Sequence, residues 1–147
     1  MRRITCVSSL LFALSSLSAP AVSGQDTGQE RQQESGFELR QNYPNPFNPT
    51  TRIPFELSED LFVDGKTAIV SLRIYNILQQ FIAAPTALNH SAGDGAPLIS
   101  LEYSLPGRHE AYWDGRDVSG RQVASGIYFM QLTVNGRIAV MKMWVAK

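Results

Sequence analysis

The stretch Ile127-Tyr128-Phe129-Met130-Gln131-Leu132-Thr133-Val134-Asn135-Gly136-Arg137, continuing to Val145, joins two apolar runs through an Asn-Gly pair. Both turn residues accept the positive φ of a type I′ turn, so the sequence predicts a hairpin of two antiparallel strands. Upstream, the same period of two recurs. Ile53, Phe55 and Leu57 alternate with Arg52, Pro54 and Glu56, and Pro54 places that strand at a sheet edge, where a missing N–H costs nothing. Ala68, Val70, Leu72 and Ile74 alternate with Thr67, Ile69, Ser71 and Arg73. Residues 76–79 form a turn into Gln80-Phe81-Ile82-Ala83, and His109, Ala111 and Trp113 share a face opposite Arg108, Glu110 and Tyr112, followed by an Asp114-Gly115 turn. Residues 98–103 form a further strand or part of one. No 11-residue window carries sustained helical periodicity. About seven short strands at this spacing predict an all-β protein, an antiparallel β-sandwich.

Ahead of these strands lies Gln41-Asn42-Tyr43-Pro44-Asn45-Pro46-Phe47-Asn48-Pro49-Thr50-Thr51. Each proline fixes its own φ and biases its predecessor toward extended geometry, and none can donate to a sheet ladder. The segment reads as a stiff, extended clamp at the start of the domain, with Tyr43 and Phe47 offering rings to bury and asparagines able to cap local backbone groups.

Phe37-Glu38-Leu39 followed by this proline run resembles the opening of the C-terminal sorting domains, type A, of the type IX (Por) secretion system. Further matches follow in the family's order: Ile74-Tyr75-Asn76-Ile77-Leu78, Trp113-Asp114-Gly115-Arg116-Asp117, Gly120, Ala124-Ser125-Gly126-Ile127-Tyr128-Phe129, and the final Lys142-Met143-Trp144-Val145-Ala146-Lys147. The resemblance spans residues 37–147. It implies an Ig-like sandwich, similar to the Ig-like part of flagellar hook-capping proteins, and a role in recognition by an outer-membrane translocon. Carried over position by position, it points to Pro44, Asn45, Pro46, Gly126, Tyr128, Lys142 and Lys147 as recognition residues. Each also has a plain scaffold reading: Pro and Gly hold backbone geometry, Tyr128 fills core, and lysines at an edge discourage strand-to-strand aggregation. Departures from the family pattern are Gln79, where relatives often carry Gly, and the long segment 85–106.

The 147 residues leave room for one modest domain. Met1-Arg2-Arg3 and the apolar, Leu- and Ser-rich stretch from Ile4 to Leu17 read as a secretory signal peptide, too short to span a bilayer. Cleavage sites occur at Ala19-Pro20-Ala21 and Val22-Ser23-Gly24, the second favoured because a proline interrupts the first. The domain plan is thus a signal peptide at 1–24, a Gln-, Glu-, Gly- and Ser-rich disordered linker at 25–36, and the sandwich at 37–147. Cys6, the only cysteine, falls in the signal peptide, so the mature chain offers no disulfide, thiolate nucleophile or thiolate-bound zinc. Thirteen basic residues balance thirteen acidic ones, and losing Arg2 and Arg3 leaves the mature chain slightly acidic. With no basic stripe, nucleic-acid binding is disfavoured.

Catalytic signals are weak. His90 falls in a Gly-rich loop, His109 on a strand, and no Gly-x-Ser-x-Gly elbow accompanies them. Asp114, Asp117 and Asp94 lack the alternating acidic loop that delivers the six to eight oxygens calcium prefers. Trp113 reads as core. Trp144 faces outward if Met141 and Met143 fill the interior, and would then make a docking patch with Lys142 and Lys147.

The sequence therefore predicts a non-enzymatic domain without cofactor or metal. The resemblance implies export across the inner membrane, passage through the periplasm, and secretion or display on the surface of a Gram-negative-type bacterium. Its partner would be the outer-membrane secretion machinery, with no nucleic acid, no small-molecule substrate and no transmembrane segment once the signal is removed. The alternative is an Ig-like adhesion or assembly module that binds a protein partner at the cell surface or in the periplasm.

Overall fold

A computed structural model of the chain describes residues 36–147; the expected signal peptide and nearly all of the expected linker lie outside them. The strands are β1 (Phe37–Leu39), β2 (Thr51–Leu57), β3 (Ala68–Asn76), β4 (Phe81–Ala83), β5 (Thr86–Leu88), β6 (Leu101–Tyr103), β7 (Gly107–Trp113), β8 (Gly126–Val134) and β9 (Arg137–Val145). One sheet runs β1-β2-β7-β5 and the other β4-β3-β8-β9, with β6 sharing the β4 side of β3. All ladders between these strands are antiparallel, and the sheets pack face to face. The all-β sandwich expected from the alternation is present, with nine strands rather than about seven. The excess comes from three-residue pieces, too short for a period of two to register.

The inward rows follow the sequence pattern. Ile53, Phe55 and Leu57 from β2 meet Val70, Leu72 and Ile74 from β3, Met130 and Leu132 from β8, and Met143 from β9, all buried. Burying each such side chain contributes about 1.5–3 kcal/mol. Trp113 joins this core, its indole N–H donating to the Arg116 carbonyl at 3.0 Å. The hairpin turn has φ of 49° at Asn135 and 83° at Gly136, and Val134 pairs with Arg137, as the Asn-Gly signal predicts.

Several expectations need correction. β2 is an interior strand, flanked by β1 and β7. Its Pro54 carbonyl accepts from the Arg40 amide at 3.0 Å, so the proline's N–H position also points to the β1 side, just past the end of that short strand. The ladder to β7 therefore loses no donor. Of residues 98–103 only Leu101–Tyr103 forms strand, although Leu98 is buried and its carbonyl accepts from Leu72 N at 2.7 Å. A 3-10 segment, Glu59–Gly65, follows β2 where no helix was expected. Gln79 takes the left-handed φ of 60° that a glycine would adopt freely, held by the Asn76 carbonyl and side chain bracketing the turn.

Candidate functional site

The proline-rich segment leaves β1, bends and crosses from one sheet to the other. Tyr43 forms an antiparallel bridge to Arg52 on β2, and Phe47 a parallel bridge to Val145 on β9. Its path is not the straight one expected from the prolines. Asn42, buried, donates through Nδ2 to the Pro44 carbonyl at 3.1 Å and to Thr51 Oγ1 at 3.0 Å, and the Thr51 hydroxyl donates to the same carbonyl at 3.1 Å. These buried bonds fold the segment back on itself between Asn42 and Thr51. Phe47 is buried against Trp113 in an edge-on contact at 5.4 Å. Tyr43, expected to bury its ring, is 42% exposed, and its hydroxyl donates to Glu110.

The segment also covers the outer edge of β9. The Trp144 carbonyl accepts from Phe47 N at 3.1 Å, Ala146 N donates to the Phe47 carbonyl at 2.9 Å, and Trp144 N donates to Asn45 Oδ1 at 3.0 Å. Gln41 Nε2 donates to the Lys142 carbonyl at 3.1 Å. Of the seven residues carried over by the resemblance, the structure brings Asn45, between Pro44 and Pro46, directly onto the strand that carries Lys142. Gly126 and Tyr128 lie on β8 opposite Val145 and Met143. Tyr128 is buried, its hydroxyl donating to the Ala124 carbonyl at 3.0 Å, so its side chain is core. Gly126 has φ of 149°, a backbone role. Lys142 is exposed and holds its ammonium 4.7 Å from the Trp144 ring centroid, a cation–π contact. Trp144 faces outward at 39% exposure because Met143 takes the inward position. Lys147 is exposed beyond the strand.

The outer faces of the two sheets differ in chemistry. On the β1-β2-β7-β5 sheet, Arg40 pairs with Glu38 at 3.3 Å and Glu56 at 3.0 Å, while Glu110 meets Arg52 at 3.2 Å and Arg108 at 3.1 Å. The Tyr43 hydroxyl, together with these two arginines, holds the Glu110 carboxyl below the usual carboxylate range. On the other sheet, cross-strand register places Tyr75, Phe129 and Lys142 in one row and Arg73, Gln131 and Val140 in the next. Phe81 packs edge-on to Tyr75 at 6.2 Å. Sequence reasoning placed Val140, Lys142 and Trp144 on one face of β9 but did not name Tyr75 or Phe129 beside them; the alternation of β3 and β8 already set those two opposite the core residues.

The histidines converge on one ring. His90 and His109 lie with centroids 4.5 and 4.6 Å from the buried Tyr103. His90 Nε2–H donates to the Glu102 carbonyl at 2.9 Å, and its Nδ1 accepts from Ala92 N at 3.0 Å. His109 Nε2–H donates to the Leu105 carbonyl at 3.0 Å. The His90 ring thus braces backbone with both nitrogens. Burial holds His109 below its ordinary pKa and pushes the Tyr103 hydroxyl up to about 12. Asp117 Oδ1 accepts from Ser119 N, Ser119 Oγ and Arg121 N, and Asp114 Oδ1 from Arg116 N, so both carboxylates shape their own loops. Among the described residues, no three His, Cys, Asp or Glu side chains group closely enough to hold a metal ion.

No family model and no curated protein matches the chain. Among solved structures, it is similar to PorZ, an essential bacterial surface component of the type-IX secretion system of Porphyromonas gingivalis. The identity is 16% and the TM-score 0.43, over 82% of this chain and 13% of that one. It is also similar to the Pseudomonas fluorescens alkylpurine DNA glycosylase AlkC, at 13% identity and a TM-score of 0.45, over 76% of this chain and 31% of that one. The chain thus spans about an eighth of the first and just under a third of the second. At these scores neither likeness carries an argument about this chain. Among the described residues, no helix is long and apolar enough to cross a membrane.

Proposed function

We propose that residues 37–147 form an Ig-like C-terminal sorting domain, recognised by an outer-membrane translocon of the type IX secretion system after export across the inner membrane. The observation that carries this reading is the docking of the proline-rich segment on β9, with Asn45 bonded to Trp144 across 99 residues of sequence. The two stretches that most resemble the family signature thus form one folded surface, next to Lys142. A translocon that reads this surface would distinguish a folded sorting domain from an unfolded one, because the surface forms only when residues 45–47 dock on β9. Within this reading, Pro44, Asn45 and Pro46 shape the surface, Gly126 and Tyr128 support it from β8, and Lys142 and Lys147 supply charge for the partner.

The experiment inserts a fluorescent reporter after Glu34 in the full chain and expresses it in a type IX-competent host. Replacing Lys142 and Lys147 together with alanine should leave the domain folded and lower delivery of the reporter to the surface or medium. Undiminished delivery of that folded double variant would remove the lysines from the recognition role. The second reading, an adhesion or assembly module, is favoured by the apolar outer face of the β9-containing sheet, and retention of the intact fusion in the periplasm would select it.

A further inference from the structure

The outward rows of β3 from Ile69 to Tyr75, of β8 from Ile127 to Thr133, and of β9 from Ile138 to Trp144 contain two cations, Arg73 and Lys142, and no carboxylate. An antiparallel sheet with one face on the core ordinarily turns a polar face to water, as the opposite sheet does with its Arg–Glu network. Here Val140 is 51% exposed and Ile138 59%, and a cleft of about 490 Å³ opens beside Tyr75, Phe129 and Val140. Exposed apolar area rimmed by polar groups marks an interaction surface, and aromatic residues are enriched at the centres of such surfaces.

Resting on the sorting reading above, we infer that this sheet face is itself a docking surface for a protein partner whose contact region is apolar and acidic. Charge complementarity selects that partner. Lys142 ends the aromatic row and Arg73 lies in the next; the outward carboxylate of this sheet, Glu102 on β6, sits opposite Ile69 at the far end of β3, and an acidic partner would meet both cations. An anionic bilayer is the weaker occupant, since electrostatic membrane attachment draws on clusters of roughly four to eight basic residues. Val140, on the edge strand β9, lines the cleft and lies one row from both Lys142 and Ile138.

The reporter-bearing full chain tests this with Val140→Glu, Lys142→Glu and Val140→Lys, beside Glu59→Lys on the exposed 3-10 segment as a control. Thermal unfolding of each purified protein verifies that the fold persists. Val140→Glu and Lys142→Glu should each reduce delivery about tenfold or more, as loss of an interface hot spot does. Val140→Lys should cost less than Val140→Glu, and Glu59→Lys should leave delivery unchanged. Delivery of the intact chain with equal delivery of folded Val140→Glu and Lys142→Glu would overturn the docking face while leaving the sorting reading standing. Retention of the intact chain in the periplasm would overturn the sorting reading and, with it, the translocon as the partner of this face. Lys142-dependent binding of the purified protein to phosphatidylglycerol vesicles, with delivery unaffected by Val140→Glu, would reassign the face to a membrane.

Discussion

Replacing Phe47 with alanine removes the side chain that pins the proline-rich segment between the sheets. The ring is 1% exposed and packs edge-on to Trp113 at 5.4 Å. Phe→Ala changes in cores cost about 3–5 kcal/mol, the spread reflecting how far the site collapses. Collapse is restricted here, because Phe47 N and its carbonyl are both bonded to the Trp144–Ala146 backbone. The cavity should therefore persist, and the loss should fall at about 4–5 kcal/mol. Small domains are stable by about 5–15 kcal/mol, so this is a large fraction of the total. With a shift of about 4 °C per kcal/mol for a domain near this size, melting should fall by roughly 16–20 °C. Urea denaturation of the purified mature chain, followed by circular dichroism, measures the difference. Amide exchange reports locally: Ala146 N, which donates to the Phe47 carbonyl, and Trp144 N, which donates to Asn45, should lose protection. A destabilisation below about 1.5 kcal/mol, with both amides still protected, would refute the claim that Phe47 anchors the segment, since so small a loss lies well under the core Phe→Ala range.

Other perturbations test neighbouring parts of the same unit. Gly115 has φ of 73°, and a Cβ there would come within 2.3 Å of the Pro49 carbonyl oxygen, so Gly115→Ala should destabilise by about 2–4 kcal/mol, read in the same denaturation assay. Asn42→Ala leaves the Pro44 carbonyl and Thr51 hydroxyl short of a buried partner and should cost about 1–3 kcal/mol, and Asn42→Asp should be no better, since a carboxylate has no N–H to donate and would bury an anion against the Pro44 carbonyl. His109 has its pKa lowered chiefly by burial, with the neighbouring His90 adding to the shift. The neutral ring is therefore favoured in the folded state, its contribution is complete above the unfolded value near 6.5, and it is lost as pH falls through the lower folded value. Stability measured between pH 7.5 and 5 should decline on acidification, and His109→Gln should flatten that slope.

Much of this architecture is legible in the chain because a few residues permit one outcome. Asn135-Gly136 fixes the last hairpin through positive φ at both positions, and the alternation of methionine with Lys142 and Trp144 decides which side of β9 faces water. Pro54 misleads because a proline reports only that one N–H is missing, while the length of the neighbouring strand decides whether that matters. β1 stops at Leu39, one residue short of the position where Pro54 would fail to donate. The segment 85–106 is opaque for a different reason: β5 and β6 are three residues each, and Leu98 is buried without belonging to a strand. The docking of Asn45 on β9 joins residues far apart in sequence, and no local pattern announces such a contact. The unpaired chemistry of the outer face was readable in principle, since the outward rows of the three long strands lack any acidic residue.

The sorting role is tested most directly by moving the domain to a foreign cargo. Residues 25–147 are placed behind a signal peptide and a fluorescent reporter, and delivery is compared between a type IX-competent host and the same host lacking its outer-membrane translocon. The reporter should reach the surface or medium in the first and remain in the periplasm in the second. Periplasmic retention of the folded fusion in both hosts would contradict a sorting role.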